Sequence, residues 1–304
     1  MKKNRLGYSE LEVSEIGLGC MSLGTDKQMA VRLVHEALDR GIQFLDTADL
    51  YDDGRNEEIV GEALKGRRSD VILATKVGNR KEPGKQGWTW DPSKAYIKSA
   101  VKDSLRRLQT DYIDLYQLHG GTLDDPVAET IEAFEELKRE GAIRYYGISS
   151  IRPNVIREYA KLSDMVSVMS QYSILDRRPE ETVLPLLAEK GVSVIARGPV
   201  AKGILTSGGD GKAEKGYLDY SGAEAASLRG ELLRLSRSGG FTDLAHLAIR
   251  YALANPAVAT VIPGASTLKQ LLVNAEAGSA RPLAREEWDA IRAISKAGVY
   301  EQHR

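Results

Sequence analysis

The sequence predicts an α/β protein built as a closed (β/α)8 barrel, and three observations carry that prediction. Short apolar runs rich in β-branched residues alternate along the chain with segments whose apolar residues recur three or four positions apart. Eight such strand candidates follow one another with no break in composition. Glycine closes helical segments at Gly41, Gly141 and Gly191, and a strand resumes directly after each. Strand-then-helix repetition is the pattern of a parallel sheet covered by helices. Eight uninterrupted units fit a closed barrel better than an open doubly wound sheet, and 304 residues suit one barrel domain spanning residues 1–304.

In chain order, NRLGYSELEVSEIG precedes the first inner strand and is expected to form a hairpin plugging the lower end of the barrel. The strand candidates are EIGLGCMSL, IQFLDTA, DVILATKV, YIDLYQLH, AIRYYGIS, VSVMSQYS, VSVIARG and ATVIPGA. Helical periodicity marks KQMAVRLVHEALDRG, PSKAYIKSAVKDSLRRL, PVAETIEAFEELKREG and PEETVLPLLAEKG. The tail, ARPLAREEWDAIRAISKAG, reads as an added amphipathic helix. Two longer loops, at residues 78–92 and 206–222, follow strand ends. In a barrel that position is the C-terminal face, where long glycine-rich excursions suggest lids or binding loops.

Composition excludes several classes. Lysine plus arginine (42) nearly cancels aspartate plus glutamate (43), which leaves no electrostatic footprint for nucleic acid. No stretch approaches the roughly 20 apolar residues of a membrane span, and the amino terminus lacks the pattern of a signal peptide, so a cytoplasmic protein is expected. The single cysteine, Cys20, excludes an intrachain disulfide, and four scattered histidines without an HExxH pattern argue against a metal site. No heptad run or apolar edge points to an oligomer, and the default expectation is a monomer.

Parallel strands buried on both faces should be apolar throughout, yet Asp46 ends the second strand, Lys76 the third and His119 the fourth. Alternate residues face inward, so Phe44, Asp46 and Ala48 are expected to share the interior with Ala74, Lys76, Gln117 and His119. A buried Asp46–Lys76 ion pair beside a core histidine is the alternative. Desolvation largely offsets the attraction in such a pair, so stability alone explains it poorly. Tyr51 lies five positions past Asp46. A phenol ordinarily titrates at about 10; Lys76 beside it is expected to lower that value, while Asp46 keeps the lysine charged. Tyr51 then serves as an acid, and His119 is placed to donate to a carbonyl oxygen.

These segments carry a family resemblance. LDTADLY, ATKVG and LYQLHG resemble the Asp, Tyr, Lys and His tetrad of the aldo-keto reductases, and the likeness runs from about residue 5 to residue 295. GLGCMSLG is similar to that family's first strand, RYYGISS to its fifth, SQYSIL to its sixth, and VIPGASTLKQLLVNAEA to its eighth strand and helix. The resemblance implies NADP(H)-dependent reduction of a small-molecule carbonyl on a (β/α)8 barrel, without metal, with Asp46, Tyr51, Lys76 and His119 catalytic. It further implies that Ser149 and Gln171 hold the nicotinamide carboxamide, with Asp46 and Met21 near the nicotinamide ribose and Gly19 a further cofactor-binding position. Arg197 would lie against the nicotinamide, Gly198, Pro199, Lys202 and Gly203 along the pyrophosphate, and Pro263, Gly264, Ser266, Lys269, Gln270 and Asn274 at the adenosine end.

Three positions depart from the family pattern. Ser266 stands where an arginine is usual, Arg197 where an aromatic ring commonly stacks on nicotinamide, and Ser150 where asparagine is frequent. Trp88 and Trp90 are expected to wall the substrate space opposite Tyr51 and His119, the alternative being tryptophans packed on the barrel rim. Two competing functions remain: a cofactor-sensing regulatory subunit on the same barrel, and a lyase using Lys76 as a Schiff-base nucleophile.

Overall fold

The computed structural model describes residues 1–81, 84 and 86–304. Eight parallel strands lie side by side in chain order: Leu18–Gly19, Phe44–Asp46, Ile72–Val77, Ile113–Leu118, Ile143–Ser149, Ser167–Gln171, Ser193–Arg197 and Val258–Ile262. Parallel bridges between Ile16 and Val261 and between Gly19 and Gly264 join the first strand to the last and close the ring. Helices cover the outside, giving the TIM-barrel architecture that the sequence predicts. Among the described residues no helix is long and apolar enough to cross a membrane.

Local chemistry explains most boundaries. Asp26 caps Lys27–Asp39, its carboxylate accepting from the amides of Gln28 and Met29 at 3.0 and 3.1 Å. Ser93 caps Lys94–Leu108 in the same manner. Gly41, Gly141 and Gly191 take φ of 82°, 78° and 66°, the left-handed conformation that lets a helix stop and the chain turn into a strand. The amino-terminal hairpin pairs Lys3–Arg5 with Glu12–Ser14. It buries Leu6, Leu11 and Val13 against Phe44, Ala74, Leu115, Met169 and Ile195 inside the barrel. That is the plug expected from the sequence.

The structure revises several elements. The first strand ends at Gly19, and Cys20–Ser22 turns as a 3-10 segment, putting Met21 on the rim. The segment around PEETVLPLLAEKG splits into a 3-10 turn, Arg178–Glu180, and a short helix, Val183–Glu189. Prolines 179 and 185 are tolerated only in first turns, which limits each piece. Three helices that periodicity did not single out, Asp210–Ala213, Gly222–Ser238 and Leu244–Leu253, lie between the seventh and eighth strands. A reciprocal capping box of Ser221 and Glu224 starts the second of them. The loop at 78–92 is pinned at its base by a two-residue ladder, Asn79–Arg80 against Thr89–Trp90; residues 82, 83 and 85 of that loop lie outside the described residues.

Candidate active site

The strand ends bring four predicted residues together. Asp46 is 2% exposed and Lys76 fully buried, and the Lys76 Nζ lies 2.7 Å from the Asp46 Oδ2. The same ammonium donates to the Thr47 carbonyl at 2.8 Å and to the Tyr51 hydroxyl at 3.1 Å. An ammonium has three protons, so all three are committed, and the Tyr51 oxygen acts as an acceptor toward Lys76. Its own proton is thereby free to point elsewhere. Gln117, paired with Lys76 in the sheet register, donates to the other Asp46 oxygen at 3.3 Å.

Tyr51 is presented by a tight turn, Tyr51–Gly54, in which Asp52 and Asp53 have φ of 47° and 59°. Left-handed backbone at two adjacent non-glycine residues costs energy and persists where surroundings over-determine it. Here Gly54 packs against the Arg107 side chain, which donates to the buried Glu57 at 2.7 Å, and Glu57 in turn accepts from Thr75 at 2.5 Å. His119 follows the fourth strand, its amide bonded to the Val77 carbonyl at 2.7 Å. Its ring meets the Tyr51 ring edge-on, with centroids 6.0 Å apart.

Burial works against the Lys76 ammonium, but Asp46 and Tyr51 outweigh it and hold it above its ordinary range. Burial pushes the Asp46 carboxyl upward, opposed by Lys76; with three acceptors around the ammonium, the ion pair is the state this geometry favours. The expected lowering of Tyr51 is corrected. Burial dominates, Lys76 opposes it only in part, and the phenol sits above its usual value. Burial, reinforced by Lys76 and Arg197, lowers His119 to about 3, so the imidazole is neutral. Its Nδ1 is buried without a partner among the described residues. A buried N–H lacking an acceptor is costly, and on that ground the proton is assigned to Nε2.

These groups open onto a cavity of about 1220 Å³. Every other predicted site residue lines it: Gly19, Met21, Ser149, Gln171, Arg197, Gly198, Pro199, Lys202, Gly203, Pro263, Gly264, Ser266, Gln270 and Asn274, with Trp88 and Trp90. Lys76 alone stays beneath the floor. Lys269 lies at the start of helix Leu268–Glu276, whose Thr267 cap leaves its N-terminus favourable to an anion. The Ser266 amide and hydroxyl both bond to Gln270 Oε1, at 2.8 and 3.0 Å, and Asn274 donates to the Gly264 carbonyl.

The two tryptophans separate. Trp90 is wedged against Gly78 and Gly120, where a Cβ on Gly78 would come within 2.5 Å of the indole. Its Nε1 donates to Asp125 at 2.9 Å. Trp88 is 53% exposed on the rim.

Several participants escaped the sequence reading. Gln171 donates to Asp176 at 2.8 Å and to the Tyr217 hydroxyl at 3.0 Å, and accepts from Arg197 at 2.9 Å. Tyr217 belongs to the second long loop, and so does Lys212, whose ammonium reaches back over Gly203. Buried Arg229 pins this loop by donating to the carbonyls of Ile204, Thr206 and Ser207. Nothing periodic in TSGGDGKAEKGYLDYSG marks these roles; a glycine-rich stretch with two tyrosines and two lysines was the only signal.

The chain is similar to known proteins over its whole length. An "Uncharacterized oxidoreductase YqkF" of Bacillus subtilis (strain 168) is 57% identical over 309 residues, covering 100% of both chains. The holo form of aldo-keto reductase AKR11C1 from Bacillus halodurans superposes with a TM-score of 0.92 at 61% identity, covering 100% of this chain and 99% of that one. An aldo/keto reductase from Klebsiella pneumoniae, solved in complex with NADP and acetate, gives 0.79 at 29% identity, covering 97% of this chain and 96% of that one. A sequence model described as "Aldo/keto reductase family" matches residues 15–296, and the chain belongs to that family of oxidoreductases.

Proposed function

We propose that this protein reduces aldehydes and ketones to alcohols with NADPH, using Asp46, Tyr51, Lys76 and His119. The observation that carries the reading is the hydrogen-bonding of Lys76: its ammonium holds Asp46 and the Tyr51 oxygen at once, at 2.7 and 3.1 Å, under a large cavity. The residues present suit a dinucleotide. The cavity exceeds the roughly 300–1,000 Å³ that a drug-sized ligand needs, and Lys202, Lys212 and Lys269 supply positive charge on its lining. NADP is bound by the Klebsiella relative. When bound, the nicotinamide supplies the hydride for the carbonyl carbon.

The chain supplies the rest. Neutral His119 donates from Nε2 to the carbonyl oxygen, and this bond strengthens as negative charge develops there. Tyr51 gives its proton to that oxygen. An upward-shifted phenol still performs this step, because an alkoxide is far more basic than a phenolate, and Lys76 offsets the charge left on the Tyr51 oxygen. Trp90 fixes one apolar wall of the substrate space. Asp46 at 2.7 Å disfavours the neutral amine that a Schiff-base lyase requires.

The test is multiple-turnover oxidation of NADPH in the presence of a panel of simple aldehydes. Turnover with alcohol formation is expected. Cofactor binding with no turnover on any aldehyde would instead favour the regulatory role, and borohydride trapping of a substrate on Lys76 would favour the lyase.

A further inference from the structure

Charge accounting over the cavity leaves one cation unassigned. Among the described residues its lining carries Arg152, Arg197, Lys202, Lys212 and Lys269 against two acids, Asp46 and Asp243. Asp46 is committed to Lys76, and Asp243 caps helix Leu244–Leu253. The three lysines sit on segments that the cofactor reading assigns to a dinucleotide's phosphates, Lys202 and Lys212 around Gly203 and Lys269 in the first turn of Leu268–Glu276, and Arg197 is held by Gln171 at 2.9 Å. Arg152 stands apart. It follows the fifth strand, and its Nη1 donates to the carbonyl of Gly121 at 2.7 Å, two residues beyond His119. Gly121, Thr122 and Trp90 line the cavity with it: Trp90 packs on Gly120, and Trp90 and Thr122 both donate to Asp125, which puts Arg152 on the His119 side, where the reductase reading places the substrate.

Among the described residues Arg152 is bonded to that carbonyl and pairs with no carboxylate. Asp125, an acid of that loop, is already occupied by Trp90 and by the amide and hydroxyl of Thr122. One guanidinium nitrogen is thus spent on fixing the side chain, while a guanidinium has five donors in a planar fork suited to carboxylate. A cation at a partly desolvated cavity wall, with no counter-charge of its own, favours an anionic ligand group there.

We infer that Arg152 binds the anionic end of the substrate, so that the preferred substrates are aldehydes or ketones carrying a carboxylate remote from the reacting carbonyl. The inference rests on the reductase reading and specifies its substrate class. The apolar stretch between the two ends, with Trp90 as its fixed side, accommodates the spacer.

The test compares 3- and 4-formylbenzoate with their methyl esters, which keep ring and aldehyde and remove the charge. For the wild type, kcat/KM for at least one acid is expected to exceed that of its ester by about tenfold, through KM. Arg152→Gln is expected to collapse that acid-to-ester ratio to near one, with Arg152→Lys intermediate and NADPH titration confirming that each variant is folded. The ratio cancels any general effect of loosening the Gly121 loop. Wild-type protein that shows no acid preference, or a ratio unaltered by Arg152→Gln, overturns the inference while leaving the reductase reading intact. Cofactor binding without reduction of any acid, ester or simple aldehyde removes both, and reduction of simple aldehydes alone overturns only the inference.

Discussion

Replacing Lys76 with methionine separates the structural from the chemical work of the buried pair. The Lys76 ammonium is fully buried and donates at 2.7, 2.8 and 3.1 Å, so its removal strands the Asp46 carboxylate at 2% exposure with only Gln117 as partner. Breaking a buried pair in this way costs about 3–5 kcal/mol. At roughly 2 °C per kcal/mol for a chain of this size, the melting temperature should fall by about 6–10 °C. Because burial already pushes the Asp46 carboxyl upward, losing Lys76 raises it further, and the deficit should shrink on acidification as the carboxyl takes a proton. Pairing the change with Asp46→Asn removes the stranded charge, and most of the lost stability should return. Activity should not return. Tyr51 has then lost the donor at 3.1 Å that offsets its phenolate, a loss of about 10²–10⁴ in the reduction step. Thermal melts of the wild type, both single variants and the double variant, with single-turnover rates for each, complete the cycle. A Lys76→Met protein as stable as the wild type, or a double variant that regains turnover, would refute the reasoning.

Other outcomes follow from the same geometry. Burial, with repulsion from Glu57, pushes Asp49 up to about 7 from 3.8. Its folded form therefore holds a proton that the unfolded form has released, so stability declines as pH rises from about 4 to 7, by up to about 4 kcal/mol. An asparagine side chain carries no such penalty: Asp49→Asn should gain on the wild type across that window in urea melts, and a constant difference at all pH would sink the idea. His119 is neutral down to about 3 and Tyr51 stays protonated past neutrality, so the single-turnover rate should be nearly flat from about pH 5 to 9. A decline centred near 6.5 that His119→Asn removes would show that His119 titrates as an ordinary histidine. Arg197 sets a positive charge among the groups facing the tetrad, where it bears on Asp46, Tyr51 and His119. It should therefore bias binding toward NADPH over NADP+, and Arg197→Tyr should reduce the ratio of dissociation constants several-fold; an unchanged ratio contradicts this.

Much of the fold was legible because parallel barrel strands are buried on both faces and their helices on one, so each writes its own period into the sequence. Asp46, Lys76 and His119 stood out for the same reason, as polar residues interrupting runs that otherwise read as core. Their common destination followed from strand alternation and register alone. What the sequence concealed depends on tertiary detail. The direction of the Tyr51 shift is set by how deeply the turn at Tyr51–Gly54 is buried, which no local pattern reports. The wedging of Trp90 depends on two glycines, Gly78 and Gly120, that leave room for its indole, while Trp88 stays 53% exposed. Tyr217 and Arg152 reach the cavity from loops and Lys212 from the four-residue helix Asp210–Ala213, all too short or irregular for a period to betray side-chain direction.

The central claim is that the Tyr51 hydroxyl, oriented by Lys76, delivers the proton to a carbonyl reduced beside it. The most direct measurement is a stopped-flow single turnover of Tyr51→Phe, preloaded with NADPH and mixed with an aldehyde the wild type reduces, alongside fluorescence titration of the cofactor. Reduction is expected to be at least roughly hundredfold slower with NADPH affinity within a few-fold of wild type, since the substitution removes one hydroxyl from a large binding surface. A variant that reduces the aldehyde at the wild-type rate would contradict that claim.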